Sequence, residues 1–598
     1  MNRTLKLIKT LSERIRRSPR ILPFLFLLLI LLLCAAFLYP ALRGKRGQTT
    51  DEAFRAFTNE LFLSNVSSNT LTLHYTLADP AAAGVKNAPV SFGEYSVSAK
   101  KRSAAALENT LEALSEFPKE ELSASNRLTW DILRVQLQNE LALSEYPYYE
   151  EVLSPLLGTQ AQLPTLLAEF SFTSREDIED YLALLEQLDS YYESLLDYER
   201  EKAQNGLFMS DEAADAVIAG CRDFISNPGE HFLLSSFEER LEQAGFLSEE
   251  EKKAYIEANR ARVVGHVFPA YELLIRGLEE LKGSGVNPCG LCCYPEGADY
   301  YEALVNCTVG SGRSMQEIKE LVDAQILSDT RLMADIITEN PRLLTQLSRS
   351  VESQSPEAIL ETLQEKIKKE FPAVNQASCT VKYVPASLEN YVSPAFYLTP
   401  PLDQMNDHVI YINQASGYDN LTLFTTLAHE GWPGHLYQTL YESSLELDPV
   451  RNIFYFGGYV EGWATYAERY AYRFTSLDSS SAELLAANSF LLLGLYARSD
   501  IGIHYDGWKP EDLAGFLGGF GIHNETVLDS IYQAIVQNPA NYLKYYLGAA
   551  EILDLKAEAQ EAFGHHFTVK DFHEFILSIG PAPFSVIRDY LYGWTGTD

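Results

Sequence analysis

Amphipathic helical patterns dominate the first part of the chain. Between residues 51 and 375, apolar residues recur at spacings of three and four, which is typical of helices packed on a core. The clearest cases are 174–203, which opens with Ser, Arg and Glu as helix starts often do, and 313–338. The Cys, Gly and Pro residues of 287–297 predict a loop between helices.

The pattern changes at residue 379. Three short runs, 379–385 (CTVKYVP), 393–398 (SPAFYL) and 408–413 (HVIYIN), are rich in β-branched and aromatic residues and are separated by Pro, Asp and Asn. They predict a small antiparallel sheet. Helical periodicity resumes near Thr422 and is broken at 502–508 and 515–521. The predicted fold is therefore mainly α, a large helical body with this small sheet directly before a key helix.

An uncharged apolar run, 21–42, precedes the body and is long enough to cross a bilayer at about 1.5 Å per residue. Seven basic residues lie before it and three follow, which predicts a cytoplasmic N-terminus and an external body. A cleaved signal peptide is the alternative, but the run is long and no small-x-small site follows it. The predicted organisation is a cytoplasmic basic tail (1–20), a transmembrane anchor (21–42), a linker (43–55) and one large extracellular domain (56–598), divided into a helical region (56–375) and a site region (376–598).

The charge of the chain limits the kinds of molecule that it can bind. The net charge is −35, and after residue 50 the chain carries 37 Lys/Arg against 81 Asp/Glu, so this body repels nucleic acid.

Four of its six cysteines lie between 289 and 307, and an external compartment permits disulfides. A zinc knuckle would need two separated Cys pairs, which the adjacent Cys292 and Cys293 fit poorly. One loop-closing disulfide, such as Cys292 to Cys307, is favoured, although the sequence leaves the pairing open.

The segment 427–438 (LAHEGWPGHLYQ) carries two histidines, with Glu430 directly after the first. Zinc in a hydrolase takes three protein ligands and an open position, and a neighbouring Glu can accept a proton from water. Residues six apart diverge by about 120° on a regular helix, which argues against a shared ion. Pro433 and Gly434 predict an opened turn that brings His429 and His435 together. Two ordinary helix histidines are the alternative for this segment alone.

A second apolar helical segment, 459–469 (YVEGWATYAER), supplies Glu461. A carboxylate among apolar neighbours is costly to bury unless it is paired or bound to metal, so Glu461 is the natural third ligand. Glu468, two helical turns later, is either a residue that orients a ligand or a solvated surface group.

Together these motifs resemble a large bacterial family catalogued as a domain of unknown function, whose members are treated as candidate zinc peptidases and grouped with gluzincins such as thimet oligopeptidase. The resemblance covers most of 51–598 and is specific beyond about 420, where further matches are Arg498-x-Asp500-x-Gly502-x-His504, Asn538-Pro539-Ala540-Asn541-Tyr542, Tyr545-Tyr546-x-Gly548, Phe572-His573 and Gly580-Pro581. It implies His429, His435 and Glu461 as zinc ligands and Glu430 as general base. Tyr546 departs from the pattern, since many relatives have Lys there.

Four further residues are candidates for contact with the substrate. The oxyanion of an attacked carbonyl needs a donor, for which we consider His504, predicted to lie on a Gly-rich loop, and Tyr545. A surface histidine and a core tyrosine are the respective alternatives. Arg498 and Tyr546 are candidate substrate-binding residues, and Arg498 is alternatively paired with Asp500.

The favoured function is a membrane-anchored extracellular zinc metallopeptidase that hydrolyses short peptides, with the strands of 379–413 offering an edge to an extended peptide. One alternative is a zinc amidase acting on a non-peptide or cell-wall amide. Another is a non-catalytic surface binding module with a vestigial site, against which the retained Glu430 argues. Cobalt or manganese could replace zinc in a two-His, one-Glu site.

Overall fold

The computed structural model describes residues 49–594 except for 87, 286–288, 347–350, 376, 385–388 and 390–393. The predicted cytoplasmic tail (1–20), the predicted transmembrane anchor (21–42) and the first part of the linker lie outside the described residues.

Helices make up most of the described chain, which confirms the mainly helical prediction. They are α1 (Thr50–Val66), α2 (Thr70–Thr76), α3 (Val97–Ser115), α4 (Ala124–Ser144), α5 (Thr159–Glu169), α6 (Arg175–Gln204), α7 (Asp211–Phe224), α8 (Phe232–Gln243), α9 (Glu249–Arg262), α10 (Phe268–Leu281), α11 (Gly297–Val309), α12 (Met315–Glu339), α13 (Leu343–Gln346), α14 (Pro356–Ile367), α15 (Asn420–Glu430), α16 (His435–Ser443), α17 (Gly457–Ala471), α18 (Ser479–Ile501), α19 (Pro510–Gly518), α20 (Glu525–Val536), α21 (Asn541–Phe563), α22 (Val569–Ile579) and α23 (Phe584–Leu591).

Two helices show why the periodic segments fold as predicted. Helix α6 begins after Ser174, whose hydroxyl accepts a hydrogen bond from the backbone N–H of Asp177 at 3.2 Å, while the Asp177 carboxylate accepts from the Ser174 N–H at 2.8 Å. Such a capping box satisfies backbone donors that the first helical turn leaves free. Ser314 and Glu317 form the same box at the start of α12. The two predicted helices, 174–203 and 313–338, are confirmed within two residues.

The small sheet contains β1 (Ser378–Tyr383), β2 (Ala395–Leu398) and β3 (Asp407–Ile412), in the order β1-β3-β2. Strand β2 pairs antiparallel with β3, but β1 pairs parallel with it. The prediction of an antiparallel sheet is therefore wrong for one of the two pairings. The physical reason is that β1 pairs with β3 and not with the strand that follows it in sequence, so no tight hairpin joins the pair and the two strands are free to run in the same direction.

Helices α17 and α21 pack closely along their length. Their contact depends on two glycines, because a Cβ atom on Gly462 would overlap the backbone of Gly548. The absence of side chains lets the two backbones approach directly. Gly462 follows Glu461, so this close packing positions the segment that carries the predicted third ligand.

Helix α18 lies inside the body. The stretch Ser479–Asp506 is long and apolar enough to cross a membrane, but 61% of its most apolar window is buried within the protein. Among the described residues it is the one helix that passes this test of length and composition, and its burial is that of a core helix.

The disulfide joins Cys289 to Cys293, so the predicted Cys292–Cys307 pairing is wrong. The Cys292 thiol instead donates to the carbonyl oxygen of Ile503 at 3.2 Å. Cys307 lies on α11 and faces Gln136 of α4. These two thiols point at different neighbours and both are free.

Candidate metal centre

A tight turn separates the two histidines of the motif. Helix α15 ends at Glu430, and α16 begins at His435. The Gly434 N–H donates to the carbonyl oxygen of Ala428 at 2.9 Å, and the indole N–H of Trp463 donates to the Pro433 carbonyl oxygen at 2.9 Å. A Cβ on Gly434 would overlap the His429 carbonyl oxygen. The chain thus breaks the helix completely, which is a larger change than the opened turn expected from the sequence.

The turn brings the side chains of His429, His435 and Glu461 together. Their potential ligand atoms all lie within 4.8 Å of one another, and this is the one such group of His, Cys, Asp or Glu found among the described residues. The Nε2 atoms of His429 and His435 lie 3.7 and 3.4 Å from the Glu461 Oε2 atom. The two rings are nearly perpendicular, with centroids 4.8 Å apart.

The spacing of these atoms fits a divalent metal ion. A tetrahedral ion with bonds of about 2.0–2.1 Å separates its ligand atoms by about 3.4 Å. The two imidazole-to-carboxylate distances are close to that separation. Imidazole nitrogen with one carboxylate oxygen is also a donor set that zinc and similar ions accept, so the residues present fit such an ion.

Two neighbours hold the potential ligands from behind. The Nδ1 atom of His429 lies 3.3 Å from the Oε2 atom of Glu468. The hydroxyl of Tyr455 donates to the other carboxylate oxygen of Glu461, Oε1, at 2.9 Å. Contacts of this kind fix the orientation of metal ligands. Glu468 therefore lies where the sequence suggested an orienting group.

The electrostatics of the centre favour bound positive charge. Burial lowers the pKa of His429, but its interactions with Glu461 and Glu468 outweigh burial and raise the pKa well above the ordinary value. Burial raises the pKa of Glu461, yet His429 and His435 together lower it below the usual range. The carboxylates of this partly buried cluster are stable only beside positive charge. A protonated histidine can supply that charge, and so can a divalent metal ion.

Glu430 lies at the end of α15, between the histidines and the sheet. Its Oε2 atom accepts a hydrogen bond from the backbone N–H of Tyr397 in β2 at 2.9 Å. Strand β2 is an edge strand, so this N–H is one that β3 does not use. The carboxylate also contributes to raising the pKa of Tyr418 to about 12, after burial as the main cause. Glu430 is thus held beside the edge of the sheet.

Tyr545 lies at the centre as the sequence suggested. Its ring centroid is 6.3 Å from that of His429. Burial raises its pKa, and the carboxylates of Glu461 and Glu430 raise it further, so the hydroxyl keeps its proton. Lys544 places its ammonium 5.0 Å from the centroid of the Tyr545 ring. The phenol is therefore a neutral donor close to the potential ligands.

His504 is not a loop residue near the substrate, and this prediction is wrong. The predicted break at 502–508 starts as a π-helical turn, Gly502–Asp506, in which His504 is fully buried. Its Nδ1 atom accepts from the Leu291 N–H at 3.1 Å, and its Nε2 atom donates to the Ile535 carbonyl oxygen at 2.9 Å. Burial lowers its pKa to about 4. Both ring nitrogens are occupied, so His504 has no donor to offer a substrate.

Arg498 also lies away from the metal centre. Its guanidinium pairs with Asp323 and Asp506 at 3.2 Å each and stacks on the ring of Trp508. Asp500 instead accepts from the Tyr301 hydroxyl and the Ala540 N–H. The predicted substrate role and the alternative pair with Asp500 are therefore both wrong, because acids nearer to the guanidinium take its charge.

Tyr546 is a core residue, which contradicts its predicted contact with the substrate. It is fully buried, and its ring packs on Phe490 at 4.6 Å between centroids. Adjacent helical residues point about 100° apart, so Tyr545 and Tyr546 of α21 cannot both face the metal centre. Only the first of them does.

Two groups at the centre could not be predicted from the sequence, the side chain of Tyr455 and the backbone N–H of Tyr397. Tyr455 precedes α17 by two residues and is 57% exposed, yet its hydroxyl reaches Glu461. No periodic pattern signals such a residue among the many tyrosines. The Tyr397 N–H is a backbone group. Its availability depends on β2 lying at the edge of the sheet, which follows only from the order of the strands.

The fold and the centre together define the class of this protein. It is a mainly helical protein in which two histidines and one carboxylate are arranged as metal ligands would be. The chain belongs to a bacterial family described as "Bacterial protein of unknown function (DUF885)", whose model matches residues 81–591. This confirms the resemblance to a bacterial family of unknown function, while the grouping with zinc peptidases and gluzincins stays a prediction. No curated protein matches the chain.

The solved structures that resemble it include the following three. A presumed lipoprotein from Colwellia psychrerythraea is 20% identical, with a TM-score of 0.78 over 91% of this chain and 99% of its own. A presumed lipoprotein of unknown function from Shewanella oneidensis is 16% identical, with a TM-score of 0.62 over 91% and 100%. A presumed oligoendopeptidase F from Bacillus anthracis str. Ames is 11% identical, with a TM-score of 0.32 over 82% and 96%. The first two share the fold of this chain.

Proposed function

We propose that the chain is a zinc-dependent metallopeptidase that hydrolyses peptide bonds. The observation that carries this proposal is the cluster of His429, His435 and Glu461, with Glu430 directly after the first histidine. A purely structural metal site would be closed by a fourth protein ligand and would need no neighbouring base. Three ligands beside a further carboxylate that is not itself a ligand are typical of a hydrolase.

Two imidazoles and one carboxylate, those of His429, His435 and Glu461, would hold the metal ion. A zinc ion bound there would supply Lewis-acid chemistry, which polarises a carbonyl and makes water a stronger acid. Glu468 would accept a hydrogen bond from the Nδ1–H of His429, which would leave the Nε2 lone pair available as a ligand. Tyr455 holds the second oxygen of Glu461 and limits its rotation.

Glu430 is the general base in this proposal. Its carboxylate accepts a proton from the attacking water and returns it to the nitrogen of the leaving amine. The phenol of Tyr545 donates a hydrogen bond to the oxygen that gains negative charge during attack. Its raised pKa supports this role, because the hydroxyl remains protonated at neutral pH.

The edge of β2 supports a peptide as the substrate. An extended peptide can add to a free sheet edge through main-chain hydrogen bonds. The Tyr397 N–H on this edge is taken by Glu430, so a peptide would pair with the other outward backbone groups of β2 and lie beside the proposed base. A peptide lying along β2 would therefore have its backbone beside Glu430.

The body is proposed to act outside the cell on a membrane anchor. The apolar run 21–42 and the excess of basic residues before it support this orientation. The two structural relatives that share the fold are both named as presumed lipoproteins, which supports attachment to a membrane.

Metal analysis combined with a peptide digest tests the proposal. The purified full-length chain should contain about one zinc per molecule, and it should cleave a mixed peptide library read by mass spectrometry. A chelator should stop cleavage, and added zinc should restore it. Stoichiometric zinc without cleavage of any peptide would overturn the peptidase assignment, and cleavage of cell-wall amides alone would identify an amidase instead.

A further inference from the structure

A cavity of about 340 Å³ adjoins the metal centre on the Glu468 side of the His429 ring. Five large side chains from the segments around α17, α18 and α21 form most of its apolar wall: Tyr472, Phe490, Leu493, Tyr542 and Tyr545. His429 and Tyr545 belong both to this cavity and to the metal centre. A group held at the metal is therefore beside the entrance of the cavity.

We propose that this cavity is the side-chain subsite of the enzyme and accepts an uncharged aromatic side chain next to the scissile bond. The inference rests on the proposed peptidase function. The cavity is at the small end of the range of about 300–1,000 Å³ that is usual for ligand sites, so it fits one large side chain rather than a long segment. Aromatic walls favour an aromatic ring through offset and edge-to-face contacts.

The charges around the cavity exclude a charged side chain. The guanidinium of Arg469 lines the cavity, but two hydrogen bonds, of 2.5 and 3.1 Å, tie it to the buried carboxylate of Asp329. The same guanidinium stacks on the Phe490 ring at 4.5 Å. It is therefore not free to pair with an acidic side chain.

The carboxylate that lines the cavity, that of Glu468, is likewise engaged with His429. A basic side chain would meet an occupied carboxylate and the positive Arg469 next to it. Asp329 neutralises Arg469, and the Glu468 carboxylate is held by His429 beside that guanidinium, so a charged substrate group would lose its hydration for at most a weakened counter-ion.

Thr465 also lines the cavity, but its hydroxyl oxygen is buried beneath the cavity surface and offers no contact to a substrate. The aromatic walls alone therefore set the preference, and tyrosine and phenylalanine are the expected side chains.

Selective cleavage by the full-length chain tests the inference. Peptides that differ only in one residue beside the scissile bond (Tyr, Phe, Ala, Glu or Lys) are compared by kcat/KM. Tyr and Phe should exceed Ala by about 10–200-fold, the range that a hydrophobic subsite provides, while Glu and Lys should fall below Ala. Equal rates for all five would overturn the subsite while leaving the peptidase function in place.

Filling the cavity should remove this selectivity. Ser489 lines the cavity, so Ser489→Phe should lower kcat/KM for the Phe peptide at least about tenfold and change the Ala peptide by no more than about twofold. Leu492→Phe adds a ring to the exposed face of the same helix and serves as the matched control. If Ser489→Phe does not fold, Leu493→Ala enlarges the same cavity and should shift the preference towards Trp. Unchanged selectivity in the folded cavity variant would overturn the inference.

Binding separates failure of the subsite from failure of the function. Glu430→Gln, which removes the proposed base, is titrated calorimetrically with the intact Phe and Ala peptides. Tighter binding of the Phe peptide, lost when Ser489→Phe is added, supports the cavity even if the wild-type chain cleaves nothing, and in that case only the peptidase function fails. Equal binding of the two peptides overturns the cavity as a subsite.

Discussion

The Nδ1 atom of His429 lies 3.3 Å from the Glu468 carboxylate, while the Nε2 atom of the same ring faces Glu461 at 3.7 Å. A single imidazole therefore connects an outer carboxylate to the potential metal ligands. Glu468→Gln keeps the shape and removes the charge. We expect metal affinity to fall by about 10–100-fold, the usual effect of losing such a partner, as measured by competition with a chelating dye. Unchanged metal affinity would show that Glu468 does not support His429 as a ligand and only lines the neighbouring cavity.

His435→Ala removes one proposed ligand. We expect the purified variant to lose its bound metal and its activity together, because two ligands do not hold zinc tightly. His523→Ala is the matched control, since His523 is exposed and lies outside the cluster. Full metal content in His435→Ala, measured by elemental analysis, would mean that another residue completes the site.

Glu430→Gln separates catalysis from metal binding. The variant should keep its metal and its melting temperature and lose at least about a hundredfold in kcat, in line with the loss of general-base help. Glu446→Gln, an exposed substitution of the same type, should behave as wild type. Metal content, melting temperature and turnover are measured on one preparation. Near-normal turnover in folded, metal-loaded Glu430→Gln would remove the proposed mechanism.

Gly434→Ala tests the turn between α15 and α16. A Cβ atom there would overlap the His429 carbonyl oxygen, so the turn must shift. We expect a loss of about 1–3 kcal/mol in the free energy of unfolding together with weaker metal binding. Gly515→Ala is the control, because its Cβ meets nothing within 4 Å in an exposed part of α19. That control should be neutral or more stable by up to about 1 kcal/mol in denaturant titration.

The proposed topology is tested on intact cells. The excess of basic residues before 21–42 predicts that the body lies outside, so added protease should remove it while a cytoplasmic marker protein stays intact. An antibody against the C-terminal helices follows the body on a blot. If the body survives until the cells are lysed, the orientation is reversed.

Local chemistry explains which parts of this molecule could be predicted. Helix α6 follows from its periodicity and from the Ser174 cap, both contained within one segment. The opened turn at Pro433 and Gly434 and the carboxylate of Glu461 among apolar neighbours can likewise be read from short windows, although the turn is in fact a complete helix break. Their meeting at one point follows from the turn and from the packing of α15 on α17.

Long-range contacts decided what the sequence could not show. His504 looked like a loop residue because of its glycines, but its partners Leu291 and Ile535 lie 213 and 31 residues away. The parallel pairing of β1 depends on β3 inserting between two earlier strands. Neither outcome leaves a periodic signal, since each depends on where distant segments pack.

The crossing of α17 and α21 at Gly462 and Gly548 has a consequence for how variation is tolerated. Any side chain at either position would force the two backbones apart and move Glu461, although neither glycine belongs to the metal cluster or lines the cavity beside it. A library of single substitutions screened for function should therefore show these two positions to be as intolerant as the metal ligands. The exposed Gly515 should accept many replacements. The sensitivity of a position to substitution would then depend on how closely two backbones pack there and not only on its distance from the metal centre.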